Sequence, residues 1–145
     1  MRISTKGLYA VRLMLYLTTK GQAEPVSLKE ISETQRISKK YLEQITPSLT
    51  SADLLKSTRG ASGGYKLARP ADKISIYDIL DATEGSLAPA GALDKGELEW
   101  APASPCLEAN MWRGLDNLIK EYLSGISLQK IVDDESPVAA DSYAI

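Results

Sequence analysis

The feature that most constrains the fold is a glycine-rich segment that separates two short strand-like segments. Arg59-Gly60-Ala61-Ser62-Gly63-Gly64 lies between residues 54–58 and residues 65–67, whose sequences are typical of strands bounded by a turn. Two short predicted helices, joined by a tight turn, come directly before this unit. This order predicts a mainly α fold with a small β-wing: a winged helix-turn-helix domain followed by a long helix.

The helices are predicted from the spacing of apolar residues and from capping residues. A four-residue apolar spacing predicts a first helix over residues 6–18. Ser27 and Glu30 have the spacing of a capping box, which begins a second helix that ends near residue 34. The later helix starts are predicted at the N-caps Ser38, Ser75 and Ser104. The predicted inward residues of the third helix are Leu42, Ile45 and Leu49.

The formal net charge of −2 conceals a strong asymmetry along the chain. Residues 1–70 hold 12 Lys/Arg and 5 Asp/Glu, a charge of +7, whereas residues 71–145 hold 5 and 14, a charge of −9. A basic half attracts polyanions, of which nucleic acid is the usual one. We expect the acidic half to face away from DNA, where it is available to a protein partner.

Composition excludes several other classes of protein. The chain has no histidine and one cysteine, so it builds no histidine-containing catalytic triad and no all-cysteine metal site on its own. The glycine-rich loop lacks the Gly-Lys-Ser/Thr ending of a nucleotide-binding P-loop. No apolar stretch approaches the roughly 20 residues of a membrane span, and no secretory signal is recognisable. We therefore expect a cytoplasmic protein that is not an enzyme and has no membrane partner.

The third predicted helix and the glycine-rich loop carry side chains suited to DNA. Those able to hold phosphates are Lys39, Lys40 and Tyr41. Gln44 can pair with the edge of adenine, and Glu43 can accept a hydrogen bond from cytosine. Arg59 suits the narrow, electronegative minor groove. A helix pair with a purely structural role is the alternative interpretation.

Three motifs are specific in combination. They are Met1-Arg2-Ile3-Ser4-Thr5-Lys6-Gly7, Tyr41-Leu42-Glu43-Gln44 and Arg59-Gly60-Ala61-Ser62-Gly63-Gly64-Tyr65-Lys66-Leu67. Over about residues 1–132 the chain resembles the family of the iron–sulfur cluster regulator IscR, which also contains nitric-oxide sensors and a cysteine-metabolism repressor. The resemblance implies a homodimeric transcription factor that binds a pseudo-palindromic operator in double-stranded DNA. The DNA-binding residues so implied are Lys6, Ser38, Lys39, Lys40, Tyr41, Glu43, Gln44, Arg59, Gly60, Ser62 and Gly63.

Two residues depart from the pattern of that family. Pro47 lies inside the predicted recognition helix and is expected to kink it or to end it near Thr46. Asp53 stands where relatives usually have a turn glycine, and a positive φ there suits aspartate less well than glycine. Neither departure removes the motif.

Sensing members of the family ligate an iron–sulfur cluster with three cysteines that precede the long helix. Cys106 matches the third, whereas the first two positions hold Ala92 and Ala101, and a histidine position of one branch holds Ala109. The resemblance implies a 2Fe–2S cluster in a cysteine-complete form. One thiolate per chain cannot hold such a cluster, so we expect this chain to be cluster-free. Three explanations remain open: replacement of ligand cysteines by alanine, a cluster-independent branch, or pooling of Cys106 with other ligands across a dimer.

The long predicted helix after Pro105 has an apolar face that is too wide for a solvated surface helix. We expect it to pair with the same helix of a second chain; the alternative is packing on its own core. The predicted dimerisation residues are Leu107, Met111, Trp112, Leu115, Leu118, Ile119 and Tyr122.

These predictions give four regions. They are a DNA-binding domain (1–85), a sensor or cluster-binding loop (86–104), a dimerisation helix with a short C-terminal helix (105–132) and a flexible acidic tail (133–145). The predicted function is control of iron–sulfur cluster biogenesis genes by a cluster-free regulator. The alternatives are a cluster-independent repressor of cysteine or sulfur metabolism and a protein-interaction scaffold without sequence-specific DNA binding.

Overall fold

The computed structural model describes residues 2–21, 23–89 and 107–135 of the chain. In chain order the elements are α1 (Thr5–Lys20), α2 (Leu28–Gln35), α3 (Lys39–Ser51), β1 (Leu55–Thr58), β2 (Gly64–Leu67), a 3-10 turn (Ala71–Lys73), α4 (Ile76–Glu84), α5 (Ala109–Ser124) and α6 (Leu128–Asp134). The fold is mainly helical with a two-stranded antiparallel wing, which confirms the predicted fold class. None of the described helices is both long and apolar enough to cross a membrane.

A hydrophobic core joins the helices of the N-terminal domain. Its fully buried side chains include Leu13, Met14, Leu17, Ile31, Leu42, Ile45, Leu49 and Ile79. The predicted inward stripe of α3 is therefore confirmed. Burial of each such side chain contributes about 1.5–3 kcal/mol relative to exposure, so packing rather than intrinsic propensity stabilises these short helices.

The predicted capping box of α2 is half correct. Ser27 is the N-cap, and its hydroxyl accepts from the Glu30 amide at 3.2 Å. The Glu30 carboxylate instead accepts from the Tyr16 hydroxyl at 2.7 Å and lies 3.6 Å from the Lys20 ammonium. Two partners on α1 are within reach of this carboxylate, so it ties α2 to α1 rather than closing the box.

The turn between α2 and α3 is fixed by backbone conformation and by burial. Arg36 adopts a left-handed conformation with φ 55°, and the Ser38 hydroxyl accepts from the Tyr41 amide at 3.1 Å. Ile37 and Leu42, which stand at the two positions of a hydrophobic staple, are both buried. The entry angle of α3 is therefore set by its own first turn.

Of the two effects predicted for Pro47, an end of α3 near Thr46 is wrong, because the helix continues past Pro47 to Ser51, whereas a kink stays a prediction. Proline removes the amide that would donate to the carbonyl of Glu43. Burial of Ile45 before the proline and Leu49 after it holds both halves of the helix against the core. Packing thus outweighs the local cost of the proline.

The wing is a hairpin whose second strand also pairs with the segment before α2. Leu55 pairs with Leu67, and Thr58 pairs with Gly64, so β1 and β2 lie within one residue of their predicted bounds. Val26 and Tyr65 exchange two backbone hydrogen bonds of 2.8 Å, which attach β2 to the segment before α2. β2 therefore has a hydrogen-bonded partner along each of its two edges: β1 on one and Val26 on the other.

The predicted α4 is confirmed, with Ser75 and Asp78 forming its capping box. α6 returns to the start of α4, where the Ile76 amide donates to the Ile126 carbonyl at 2.9 Å. α6 extends to Asp134, so the first two residues of the predicted acidic tail belong to a helix.

The long helix α5 begins at Ala109, four residues after the predicted first helical residue, Pro105. Residues 107 and 108 form a turn. Leu107 is 90% exposed, whereas Ala109, the first residue of the helix, is buried.

Candidate nucleic-acid interface

The outward face of α3 is polar and exposed. Its exposed members are the N-cap Ser38 with Lys39, Lys40, Glu43 and Gln44. The opposite face is buried in the core through Leu42, Ile45 and Leu49. One face thus fixes the helix, and the other presents donors, acceptors and cationic groups at the spacing that a groove of DNA can accept.

Tyr41 differs from its predicted neighbours because it is half-buried. Its ring lies edge-to-face on the ring of Tyr9, with centroids 5.2 Å apart. The Arg12 guanidinium lies 5.3 Å from the centroid of Tyr9. Tyr41 therefore links α3 to α1 as well as lying among the predicted contact residues. The four-residue apolar spacing that predicts α1 gives no sign of this contact, because the two tyrosines lie far apart in the sequence.

The tip of the wing is exposed at Arg59, Gly60, Ala61 and Ser62. The Gly63 amide donates to the Gly60 carbonyl at 3.0 Å, which closes the turn, and Gly60 has a φ of 109° that favours glycine. A side chain at Gly64 would collide with the backbone of Val26. Glycine is thus required where the hairpin turns and where it meets the domain, and Arg59 begins the exposed tip.

Lys6 lies in the first turn of α1, half-buried, and its ammonium donates to the Ser48 hydroxyl of α3 at 3.4 Å. The Ser4 amide and hydroxyl both donate to the Glu84 carboxylate of α4, at 2.9 and 2.8 Å. Neither Ser48 nor Glu84 was a candidate from the sequence, because both contacts join residues far apart in the chain. The start of α1 is therefore held by α3 and by α4.

An ion pair on α5 lies near the start of the predicted sensor segment. The Lys120 ammonium lies 2.9 Å from the Asp116 carboxylate, whose hydrogen bond and charge raise the pKa of Lys120 above its usual range. Together with Tyr77, Asp81 and Ser86, the pair lines a cavity of about 190 Å³ between α4 and α5. An aspartate four residues before a lysine forms a favourable ion pair along a helix, so this pair stabilises α5.

The predicted dimerisation face is divided between two sides of α5. Ile119 packs against the core of its own chain, and Trp112 is half-buried. The exposed apolar residues are Leu107 at 90%, Met111 at 58%, Leu115 at 40%, Leu118 at 64% and Tyr122 at 71%. The outer side of α5 is therefore an apolar stripe that the described part of the chain leaves in contact with solvent.

The predicted cluster region lies outside the described residues, which include neither Ala92, Ala101 nor Cys106. Ala109 is described and is the buried first residue of α5. Among the residues that the structure describes, no three His, Cys, Asp or Glu side chains are grouped as metal ligands. The donor set of the whole chain also does not fit an iron–sulfur cluster, since it contains one thiol and no imidazole.

Solved structures of related proteins share this architecture. CymR, the global cysteine regulator of B. subtilis, superposes with a TM-score of 0.77 and 33% identity, over 94% of this chain and 99% of that one. IscR of T. potens superposes with a TM-score of 0.71 and 36% identity, over 95% of this chain and 90% of that one. The described fold is therefore that of helix-turn-helix regulators along nearly its whole length.

Sequence comparison agrees with the structural likeness. The HTH-type transcriptional regulator IscR of Vibrio vulnificus is 36% identical over 138 residues, covering 95% of this chain and 81% of that protein. Residues 3–134 match the profile of the Rrf2 family, described as iron-dependent transcriptional regulators. The winged domain, the exposed polar face of α3 and these matches agree: the chain is a transcriptional regulator rather than an enzyme, and it belongs to the Rrf2 family.

Proposed function

We propose that the protein acts as a homodimer that binds a two-fold symmetric DNA operator through α3 and the wing. The observation that carries the proposal is the division of α3 into a fully buried apolar face and an exposed face of lysine, glutamate and glutamine. A recognition helix requires such a division, because its position must be rigid while its outer side chains read base edges. The chromosome is the target, so the site of action is the cytoplasm.

Each exposed group has a role in this proposal. Lys39 and Lys40 neutralise phosphates, whereas Glu43 and Gln44 read cytosine and adenine. Arg59 enters the minor groove, and the glycines beside it allow the backbone of the wing to approach the DNA closely. Tyr41 can reach a phosphate with its hydroxyl while its ring stays on Tyr9.

The dimer is proposed from the exposed stripe of α5. Four large apolar side chains on α5, with Leu107 in the turn before it, are each at least 40% exposed and lie along one face of the helix, so a second copy of the same helix can cover them. An antiparallel helix pair places two recognition helices about one DNA turn apart, or a multiple of one turn.

We further propose that the protein regulates without a cluster, because its one cysteine cannot ligate iron at several sites. Control of iron–sulfur cluster biogenesis genes is the function favoured by the likeness to IscR proteins. A cluster-independent repressor of cysteine metabolism is the second candidate. The single cysteine and the superposition on CymR favour it. The acidic half would then contact a protein partner.

The test is selection of random DNA duplexes by the full chain. We expect a palindrome with two half-sites. Arg59→Ala should lower affinity and relax the preference at one position of the motif. Lys40→Ala should weaken binding to all sequences and reduce the slope of log affinity against log salt by about one. Lys130→Ala, which removes an exposed lysine of α6 outside the proposed interface, is the matched control and should leave both the affinity and the salt slope unchanged.

Two results would contradict the proposal. Retention of DNA without sequence preference would favour the scaffold interpretation, and equal binding by Arg59→Ala and the parent would remove the wing from the interface. The variant Ala92→Cys/Ala101→Cys, purified without oxygen and analysed for iron and sulfide, tests the cluster assignment. A cluster in this variant and not in the parent would support loss of the ligands at these two positions.

A further inference from the structure

The start of α1 is held by a carboxylate 80 residues away in the sequence. One oxygen of Glu84, the last residue of α4, accepts from the Ser4 amide at 2.9 Å and from the Ser4 hydroxyl at 2.8 Å. The Ser4 hydroxyl in turn accepts from the Gly7 amide at 3.2 Å, as the N-cap of α1. The cap of α1 is therefore itself fixed by α4.

Packing and electrostatics both favour this contact. Gly7 is buried, and a Cβ at this position would collide with the same Glu84 oxygen, so glycine leaves the space that the carboxylate occupies. The N-terminus of a helix carries a partial positive charge, which stabilises an anion there. Hydrogen bonds to an ionised acceptor are also stronger than those to a neutral one. Glu84 thus acts as a second cap of α1, supplied from another helix.

The contact bears on the predicted DNA-binding surface through Lys6. Lys6 lies two residues after Ser4, and its ammonium reaches the Ser48 hydroxyl on α3 at 3.4 Å. A shift in the start of α1 would move this ammonium relative to the recognition helix. Glu84 is the last residue of α4, and it lies two residues before the predicted sensor segment, which begins at residue 86.

We propose that Glu84 is a positioning residue for DNA binding, which holds the first turn of α1 so that Lys6 meets a phosphate beside α3. The inference rests on the proposed function and adds to it that the Lys6 ammonium, which lies beside α3, contacts the operator. It adds a role for a carboxylate that, by charge alone, would oppose DNA binding.

The proposal is tested by whether removal of the Glu84 carboxylate lowers or raises the affinity for the operator. Glu84→Ala and Asp81→Ala each remove one carboxylate from α4, and the Asp81 side chain is exposed one turn earlier. If charge alone matters, both variants bind the selected operator equally or more tightly than the parent. We expect Glu84→Ala to bind about three- to ten-fold more weakly, with a salt slope lower by about one, because one phosphate contact is lost. Glu84→Gln keeps an acceptor oxygen and should retain most of the affinity.

A double-mutant cycle separates positioning from simple instability. Partial unfolding lowers the fraction of active protein but does not change the salt slope. Lys6→Ala should lower the slope by about one in the parent and should have no further effect in Glu84→Ala. Ser4→Ala should reproduce the loss, whereas Ser4→Thr, which keeps the hydroxyl, should match the parent.

Three outcomes overturn the inference. They are additive effects of Lys6→Ala and Glu84→Ala on the salt slope, equal operator affinity for Glu84→Ala and Asp81→Ala, and a Lys6→Ala variant that keeps the slope of the parent. Failure of the proposed function looks different, because the parent chain then selects no operator.

Discussion

Asp53 illustrates how a single residue carries a conformational cost at a turn that the fold requires. It connects α3 to β1 with a φ of 59°, in the left-handed region that glycine adopts readily. Its amide donates to the Thr50 carbonyl at 3.0 Å, and its carbonyl accepts from Arg69 Nε at 3.3 Å. The positive φ considered from the sequence is therefore present at Asp53. The hydrogen bonds of its amide and of its carbonyl hold the residue in this conformation.

We expect Asp53→Gly to keep or slightly raise the free energy of unfolding, and Asp53→Ala to lower it by about 1 kcal/mol. The left-handed region costs an ordinary L residue about that much, and aspartate is among the residues that tolerate it best. Urea unfolding of the three proteins measures the difference. Ala52→Gly is the control: its φ is −84°, so glycine there should only destabilise. Equal loss in both Asp53 variants would contradict this account.

At the scale of the elements, α3 shows tertiary packing overriding a local signal. Pro47 is exposed and lies in the interior of the helix, where it leaves the Glu43 carbonyl without its usual amide donor. The helix nevertheless reaches Ser51, and the Leu49 carbonyl beyond the proline accepts from the Leu54 amide at 3.0 Å. The proline therefore lowers the stability of α3 without ending it.

Pro47→Ala should raise the free energy of unfolding by about 1–2 kcal/mol. The restored amide can donate to Glu43, which removes a penalty of about 3 kcal/mol, while the more flexible unfolded chain offsets part of the gain. Thermal and urea unfolding measure this change in the free energy of unfolding. Ser51→Ala, at the exposed end of the same helix, is the control and should leave the free energy of unfolding nearly unchanged. A Pro47→Ala protein that is less stable than the parent would mean that the proline sets a bend which the packing of α3 requires.

The elements also show which parts of the fold can be predicted from sequence. The caps at Ser27, Ser38 and Ser75 were correct, because a hydroxyl reaches an amide only three residues ahead. The predicted role of Glu30 in a capping box was wrong, because the partners of its carboxylate lie on another helix. The predicted start of α5 was also wrong, because the helix begins at Ala109 without a side-chain cap that the sequence could show. The Ser4–Glu84 contact could not be predicted, because the two residues are 80 positions apart and neither has a pattern around it that indicates the other.

At the scale of the whole molecule, the basic charge and the exposed apolar stripe of α5 lie in different halves of the chain. The basic half, residues 1–70, contains α1, α2, α3 and the wing, whereas the acidic half contains α4, α5 and α6. DNA contacts proposed on the first half and a dimer contact proposed on α5 do not compete for one surface. The acidic charge of the second half also disfavours a dimer that turns α5 toward the phosphates.

The last prediction concerns this dimer. Leu118→Glu places a charge in the exposed stripe of α5, where the side chain is 64% exposed, so the fold of one chain should survive while the dimer dissociates. Sedimentation equilibrium should show a monomer, and the advantage in affinity of a palindrome over a single half-site should fall at least ten-fold, since the two halves no longer bind as one unit. Asn117→Glu adds the same charge at the preceding exposed position and should remain dimeric. A Leu118→Glu protein that stays dimeric would mean that another surface joins the two chains, and a monomeric parent that still prefers the palindrome would mean that the operator itself assembles them.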